Sequence, residues 1–262
     1  MARISLALTG ADLDALRSRG FRLGGLMAAA QIDAASRFEG PVSLGATVAP
    51  GAFLDIGAFC NLSGGTLNNL RAGRYCSVAA GVVIGAHEHP TDWLTTSRLA
   101  YYPQVHGWDR LMAPDRLAEI AAAKPAFPDA CPVTKLGADV WIGQGAYLRA
   151  GITVGTGAVI GARATVTRDV PPYAVVTGTP GRVARLRFPD AVAERLMASR
   201  WWDYSIYDLF GAPMDDAEAA LDAIEARVSA GDLRPYAGPV ITAPELADPA
   251  SLIARLAPAP TS

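Results

Sequence analysis

Between Lys135 and Pro180 the hydrophobic positions keep a period that belongs to neither a helix nor an ordinary strand. A large aliphatic residue recurs every six positions, at Leu136, Ile142, Leu148, Val154, Ile160 and Val166. Four residues after each stands a smaller or branched apolar residue: Val140, Ala146, Ile152, Ala158, Ala164 and Val170. Glycine follows the aliphatic at Gly137, Gly143, Gly155 and Gly161. A helix repeats near every 3.6 residues and a half-buried strand alternates strictly. A sustained six-residue period predicts instead a coil whose flat faces each take one hexapeptide, with the aliphatic inward and glycine easing the corner. A glycine-rich loop, the plainer alternative, would not hold the aliphatics in phase.

The same period starts near Val42, with Leu44, Pro50, Ile56 and Leu62 in the inward positions. Its phase slips near Asn68–Asn69 and resumes at Ala72, Val78 and Ile84, so one corner is expected to bulge. At His87 the repeat stops, and residues 87–133 carry none of it. A loop of that length inside a domain is usually functional. It contains a short predicted helix, PDRLAEIAAAK, and the aromatics Trp93, Tyr101, Tyr102 and Trp108. Each aromatic either lines a pocket or, more simply, packs the loop. The chain thus divides into an N-terminal appendage (1–40), a coil domain (41–187) with the insertion 87–133, and a C-terminal helical extension (188–262). Thr9 and Asp12 form a capping box for a short N-terminal helix that Gly20 stops. In the extension, Pro189 and Asp190 open a helix with Val192, Leu196 and Trp201 near one stripe. A second runs over 215–230 with Leu221, Ile224 and Val228, stopped by Gly231, and a third over 249–256. The PAPTS ending is expected to fray.

Composition narrows the function. Hydrophobic residues make up 51% and charged residues 18% of 262 positions, so most of the chain has apolar surface to bury. A net charge of −2 lacks the basic surplus that nucleic-acid binding needs. No apolar run is long enough to predict a membrane-spanning helix. The beginning of the chain lacks a secretory leader pattern, so mature sequence and a cytoplasmic location are expected. The three cysteines, Cys60, Cys76 and Cys131, are unevenly spaced, which suggests free thiols rather than a disulfide framework.

Four segments give the pattern a family. GRYCSVAAGVVIGAHEHPTDWLTTS, the long run from DVWIGQG through GTPGRVARLRF, the RWWDY element and the position of the inserted loop together resemble the hexapeptide-repeat acyltransferases. The chain is most similar there to the xenobiotic, or type B chloramphenicol, acetyltransferase branch and its sugar O-acetyltransferase relatives. The resemblance covers roughly residues 42–210. It implies a mainly β fold, a left-handed parallel β-helix, and a homotrimer with active sites between neighbouring subunits. It also implies an enzyme that moves an acetyl group from acetyl-CoA to an acceptor, with no metal. The acceptor is expected to be a hydroxyl of a sugar or polysaccharide precursor. An antibiotic or other xenobiotic hydroxyl, or a sugar amine, would use the same chemistry.

Such a transfer needs a base for the acceptor's proton, donors for the developing oxyanion, and two substrates held in line. Histidine suits the first role, since its ordinary pKa lies near neutrality. The resemblance places the base at His89, in a His-Pro pair, with His87 two residues away as the fallback; His106 stands in irregular sequence. Glu88 and Asp92 are the nearby carboxylates, but Glu88 would point away in an extended segment, and a backbone carbonyl could orient the imidazole instead. The resemblance further assigns Trp141 to the pantetheine arm. Gly143 and Ala162 fall to backbone contacts with the thioester and pantetheine, and Arg182 and Arg185 to the nucleotide phosphates, which arginine forks fit well. The plainer reading of these arginines is a solvated coil end. Two other functions remain open. A γ-class carbonic anhydrase needs three histidines on zinc, which His87, His89 and His106 are poorly spaced to supply. A non-catalytic trimeric scaffold would need neither the His-Pro pair nor Trp141.

Overall fold

A computed structural model describes residues 2–128 and 131–256. The chain separates into two units, one comprising Met1–Ala86 and Pro132–Ser262, the other His87–Cys131.

In the first unit the six-residue period becomes short parallel strands that wind around three faces. Each inward aliphatic pairs with its counterpart one coil on. On one face the ladder runs Leu44, Leu62, Val78, Ile142, Ile160, Val176. On the second it runs Phe38, Ile56, Ala72, Leu136, Val154. On the third it runs Val48, Leu67, Ile84, Leu148, Val166. A two- or three-residue strand has room for few inward side chains, so one coil alone cannot make a core, and burial comes from stacking coils. The smaller apolar residues, Val140 to Val170, are buried as the period predicts. Because Val78 pairs with Ile142 and Ile84 with Leu148, the ladder continues in register past the whole insertion.

Three details depart from the sequence pattern. Pro50 is exposed, and Val48 takes the inward place in the strand Thr47–Val48. Near Asn68 no corner bulges. The inward residues are Leu62, Leu67 and Ala72, so two successive corners are each one residue short. Asn69 closes the second, its side-chain oxygen accepting from the Phe53 N–H at 2.7 Å. Finally, pairing begins before the period does. Phe21–Arg22 pairs with Val42 and Ser43, and Arg37–Glu39 lies parallel to Leu54–Ile56.

The first coils are closed off by both termini. The Thr9–Asp12 capping box starts the helix Gly10–Arg17, as expected. The strand Val240–Thr242 adds antiparallel to Arg37–Glu39 and covers that edge. The helix Pro249–Arg255 follows, and Leu252 joins Leu16 in the main core. Coil ends need such caps, since a bare end exposes apolar ladder and unpaired backbone. The expected fraying of PAPTS lies outside the described residues. Among the described residues no helix is long and apolar enough to cross a membrane.

The rest of the C-terminal extension rides on one corner of the coil. The residues Phe59, Tyr75, Asp139, Gly157 and Tyr173 stack there, all with positive φ. From Tyr75 onward each N–H donates to the coil before, to the carbonyls of Ala58, Arg74, Ala138 and Thr156 in turn. Phe59 stacks on Tyr75 at 4.7 Å between ring centres, and Trp201 lies 5.2 Å from Tyr75. Arg74 ties the extension down. Its fork donates to both Glu39 oxygens at 2.9 and 2.6 Å, and to the carbonyls of Asp203 and Tyr236 at 2.9 Å each. The helix Asp190–Ser199 buries Leu196, and Ala217–Ser229 buries Leu221 and Ile224, whereas Val228, expected on that stripe, is 39% exposed.

The Glu39–Arg74 pair makes stability depend on pH. Burial raises the Glu39 pKa, but the Arg74 fork, the Ala58 N–H and the charges of Arg74 and Arg37 outweigh it, leaving the value below the ordinary one. A carboxylate so depressed adds stability that is complete at neutral pH and is lost as pH falls through its folded value. Glu39→Gln should therefore cost about 1–3 kcal/mol at pH 7, and the gap to wild type should close in acid. Thermal unfolding of both proteins from pH 7 to pH 3 checks this; a gap that widens in acid contradicts it.

Candidate active site

In the unit His87–Cys131, His89 lies in an exposed, irregular stretch that leads into the short 3-10 turn Arg98–Ala100. Its Nδ1 is 2.7 Å from the Thr96 carbonyl oxygen. A carbonyl can only accept, so Nδ1 carries the proton and donates. In the neutral ring Nε2 is then left with a free lone pair. Of the orienting partners left open by the sequence, the backbone carbonyl is the one in place. Its position was illegible because Thr96 becomes a partner only when the chain turns back seven residues on.

Aromatic rings gather beside this imidazole. Tyr101 stands edge-on to it at 6.5 Å, Phe127 lies 4.5 Å from Tyr101, and Trp93 meets both at 6.0 and 5.6 Å. Tyr101 is 4% exposed, and among the described residues its hydroxyl makes no hydrogen bond. The fallback His87 sits 6.0 Å from His89 and 6.1 Å from Phe127. His106 is held elsewhere, at φ 61° and 5.2 Å from Trp108. Two histidines are thus brought together and the third is not. Among the described residues no three histidine, cysteine, aspartate or glutamate side chains converge as a metal site.

The coil unit brings the other predicted residues together. Trp141, 55% exposed, points outward from the strand Trp141–Ile142. Strand pairing places it in a row with Val159, Val175 and Arg185 on the same face. With strands about 4.8 Å apart, the backbone of this row spans roughly 14 Å from Trp141 to Arg185. At the adjoining corner a Cβ on Gly143 would stand 2.6 Å from the Ala162 N–H nitrogen, so only glycine lets these two coils close. Arg182 and Arg185 lie on the exposed strand Arg182–Leu186. Each donates only to a backbone carbonyl, of Gly181 and Leu186 respectively, and neither has a carboxylate partner among the described residues. Arg187, two residues on, differs: it binds Asp139 Oδ2 at 2.9 Å and the Gly157 carbonyl at 2.7 Å, and is spent on structure.

The chain thus combines a three-faced parallel coil, an insertion that carries an exposed histidine, and an open face with Trp141 and Arg185. The bacterial transferase hexapeptide family (six repeats) matches residues 134–168. A chloramphenicol acetyltransferase of Agrobacterium fabrum (strain C58 / ATCC 33970) is 36% identical over 140 residues, 52% of this chain and 61% of that one. A chloramphenicol acetyltransferase of Klebsiella aerogenes is 34% identical over 143 residues, 53% of this chain and 62% of that one. A probable macrolide acetyltransferase of Lysinibacillus sphaericus is 30% identical over 145 residues, 55% of this chain and 74% of that one. The chain belongs to the hexapeptide-repeat acetyltransferases, in the branch that resembles type B chloramphenicol acetyltransferases. It spans about three fifths of the length of the first two relatives.

Proposed function

We propose that the protein transfers the acetyl group of acetyl-CoA directly to an acceptor hydroxyl, with His89 as general base. The observation that carries this is the Nδ1–Thr96 hydrogen bond, which presents Nε2 as the proton acceptor. As the hydroxyl oxygen bonds to the thioester carbonyl carbon, Nε2 takes its proton. When the tetrahedral intermediate collapses, the carbon–sulfur bond breaks and the imidazolium returns the proton to the departing thiolate. No acyl-enzyme is needed.

On this reading Trp141 lies along the pantetheine arm, Gly143 and Ala162 offer backbone close to the thioester, and Arg182 and Arg185 meet the nucleotide phosphates. What supports it is their common face, the exposed indole and guanidinium charges without a carboxylate partner among the described residues. The working form is a homotrimer in the cytoplasm, with sites shared between neighbouring subunits. The acceptor is a saccharide hydroxyl. A xenobiotic hydroxyl is the second reading, favoured by the apolar side chains that the insertion leaves exposed, Leu94, Trp108 and Leu111. Trp141→Ala should raise the KM for acetyl-CoA about tenfold through the lost ring contact, with a smaller change in kcat. Steady-state kinetics at saturating acceptor reads this, and an unchanged KM removes Trp141 from the coenzyme site.

A further inference from the structure

The face that carries Trp141 continues beyond it, toward the first coils. Strand pairing sets Trp141 beside Ser77, Ser77 beside Asn61, Asn61 beside Ser43 and Ser43 beside Arg22. With strands about 4.8 Å apart, the backbone of this stretch spans roughly 14 Å from Ser77 to Arg22. All four side chains point out from the coil. Ser43 and Ser77 offer hydroxyls that have no hydrogen-bond partner among the described residues. Asn61 uses only its Oδ1, which accepts from Ser63 Oγ at 3.1 Å. The face thus has arginines at both ends, Arg185 and Arg22, and an uncharged polar stretch between Trp141 and Arg22.

Arg22 stands between two hollows, and Arg22, Arg17 and Ser43 line both of them. The larger has a volume of about 530 Å³ and is walled on one side by Phe59, Tyr75 and Tyr207. The smaller, of about 290 Å³, is bounded by Leu13 and Leu23. No carboxylate lines either hollow, although acidic residues outnumber basic ones in the chain. Arg17 ends the helix Gly10–Arg17 and shares its charge with Asp14 at 3.2 Å. Arg22 has no ion-pair or hydrogen-bond partner among the described residues, so its guanidinium charge is unmatched. A second arginine and an open serine hydroxyl beside it complete a set of donors that suits phosphate oxygens.

We propose that the acceptor is a sugar linked to a phosphate or diphosphate, with the anion on Arg22 and Arg17 and the sugar along Ser43, Asn61 and Ser77. This rests on the acetyl-transfer reading, which lays the pantetheine arm along Trp141, one strand from Ser77. The two ends of the face then have different tasks: Arg182 and Arg185 hold the coenzyme's phosphates, and Arg22 holds the acceptor's. The span selects phosphate over carboxylate. A uronic acid carries its carboxylate on the ring, close to the reacting hydroxyl, whereas a phosphate ester or diphosphate sets the charge further out, toward Arg22. The serine hydroxyls and the Asn61 amide suit sugar hydroxyls, which both donate and accept.

The test uses the purified full-length protein with UDP-glucose, glucose 1-phosphate and the uncharged methyl glucoside. Isothermal titration at low ionic strength, without coenzyme, should show saturable binding of the two charged sugars and much weaker binding of the third. Arg22→Gln should weaken both charged sugars about tenfold, the worth of one charge-assisted hydrogen bond. Arg185→Gln, at the other end of the face, should leave their binding within about twofold. A nucleotide-linked acceptor makes UDP-glucose the tighter ligand, with its base against Tyr207 in the larger hollow; equal affinities mean a sugar phosphate. In the transfer assay Arg22→Gln should raise the KM of a phosphorylated acceptor about tenfold and leave the KM of acetyl-CoA within about twofold. No saturable binding of either charged sugar, or binding that Arg185→Gln weakens and Arg22→Gln does not, overturns the proposal. Binding lost in Arg22→Gln, with no transfer from acetyl-CoA to any acceptor, keeps the anion site and overturns the acetyl-transfer reading instead.

Discussion

His89→Ala should lower kcat for acetyl transfer by about 10²–10⁴-fold, the usual worth of a positioned general base, and leave thermal stability and assembly unchanged. The argument for such a clean separation is local. His89 is exposed, and its one hydrogen bond among the described residues goes to a carbonyl in an irregular stretch that can turn to water instead. His89→Asn sharpens the point. The asparagine amide nitrogen stands where Nδ1 stood and can still donate to the Thr96 carbonyl, but it offers no basic nitrogen, so it should be nearly as inactive as alanine. His87→Ala should keep most of the activity, because no hydrogen bond among the described residues orients that ring in the way Thr96 orients His89. Side-by-side kinetics of the three variants decide between the two histidines, and an inactive His87→Ala beside an active His89→Ala exchanges their roles.

The largest stability effect is expected at Gly65. It sits in the shortened corner between Leu62 and Leu67, at φ 96°, where an L side chain is strained whatever the space. The space is also closed. A Cβ would fall on the Val82 carbonyl oxygen and stand 2.7 Å from the Val82 nitrogen. That carbonyl is not free to move, since it accepts the Thr66 N–H at 2.8 Å and so ties successive coils together. Gly65→Ala should cost about 3 kcal/mol or more, combining backbone strain with a broken rung. Gly211 is the control. It has φ 104° but nothing within 4 Å of its would-be Cβ, so Gly211→Ala should cost only the strain, about 1 kcal/mol. Denaturant unfolding of both variants measures the difference, and equal losses would mean that the corner clash is relieved by movement.

The ladders were legible because the same six-residue phase repeats and each inward side chain has one partner above and one below. Legibility failed where chain geometry, not residue type, decides. Pro50 has the right spacing and an apolar side chain, yet Val48 goes inward, because the corner after Val48 is long and the one before it short. The slip near Asn69 reads equally well as an extra or a missing residue, and only the Leu67 rung shows that residues are missing. The coils over Phe21 and Phe38 carry no repeat, since their outer edges are finished by the terminal helix and the strand Val240–Thr242. Of the candidate site, Trp141 and the arginines could be read from motif. Thr96 contributes a backbone carbonyl, which has no sequence signal. Arg185 and Arg187 are two residues apart, a spacing that in a strand would put both on one side; the chain leaves the strand at Leu186, and the turn of Arg187 to Asp139 has no sequence signal.

The central claim is that His89, oriented by a backbone carbonyl, drives direct acetyl transfer. It is tested most directly by incubating the purified protein with ¹³C-acetyl-CoA and a panel of saccharide and xenobiotic acceptors, and following O-acetylated product by mass spectrometry. The account predicts label in a hydroxyl ester with wild type, none with His89→Ala, and no label on the protein itself. Product formation by His89→Ala at the wild-type rate, or a labelled protein intermediate that turns over, would contradict it.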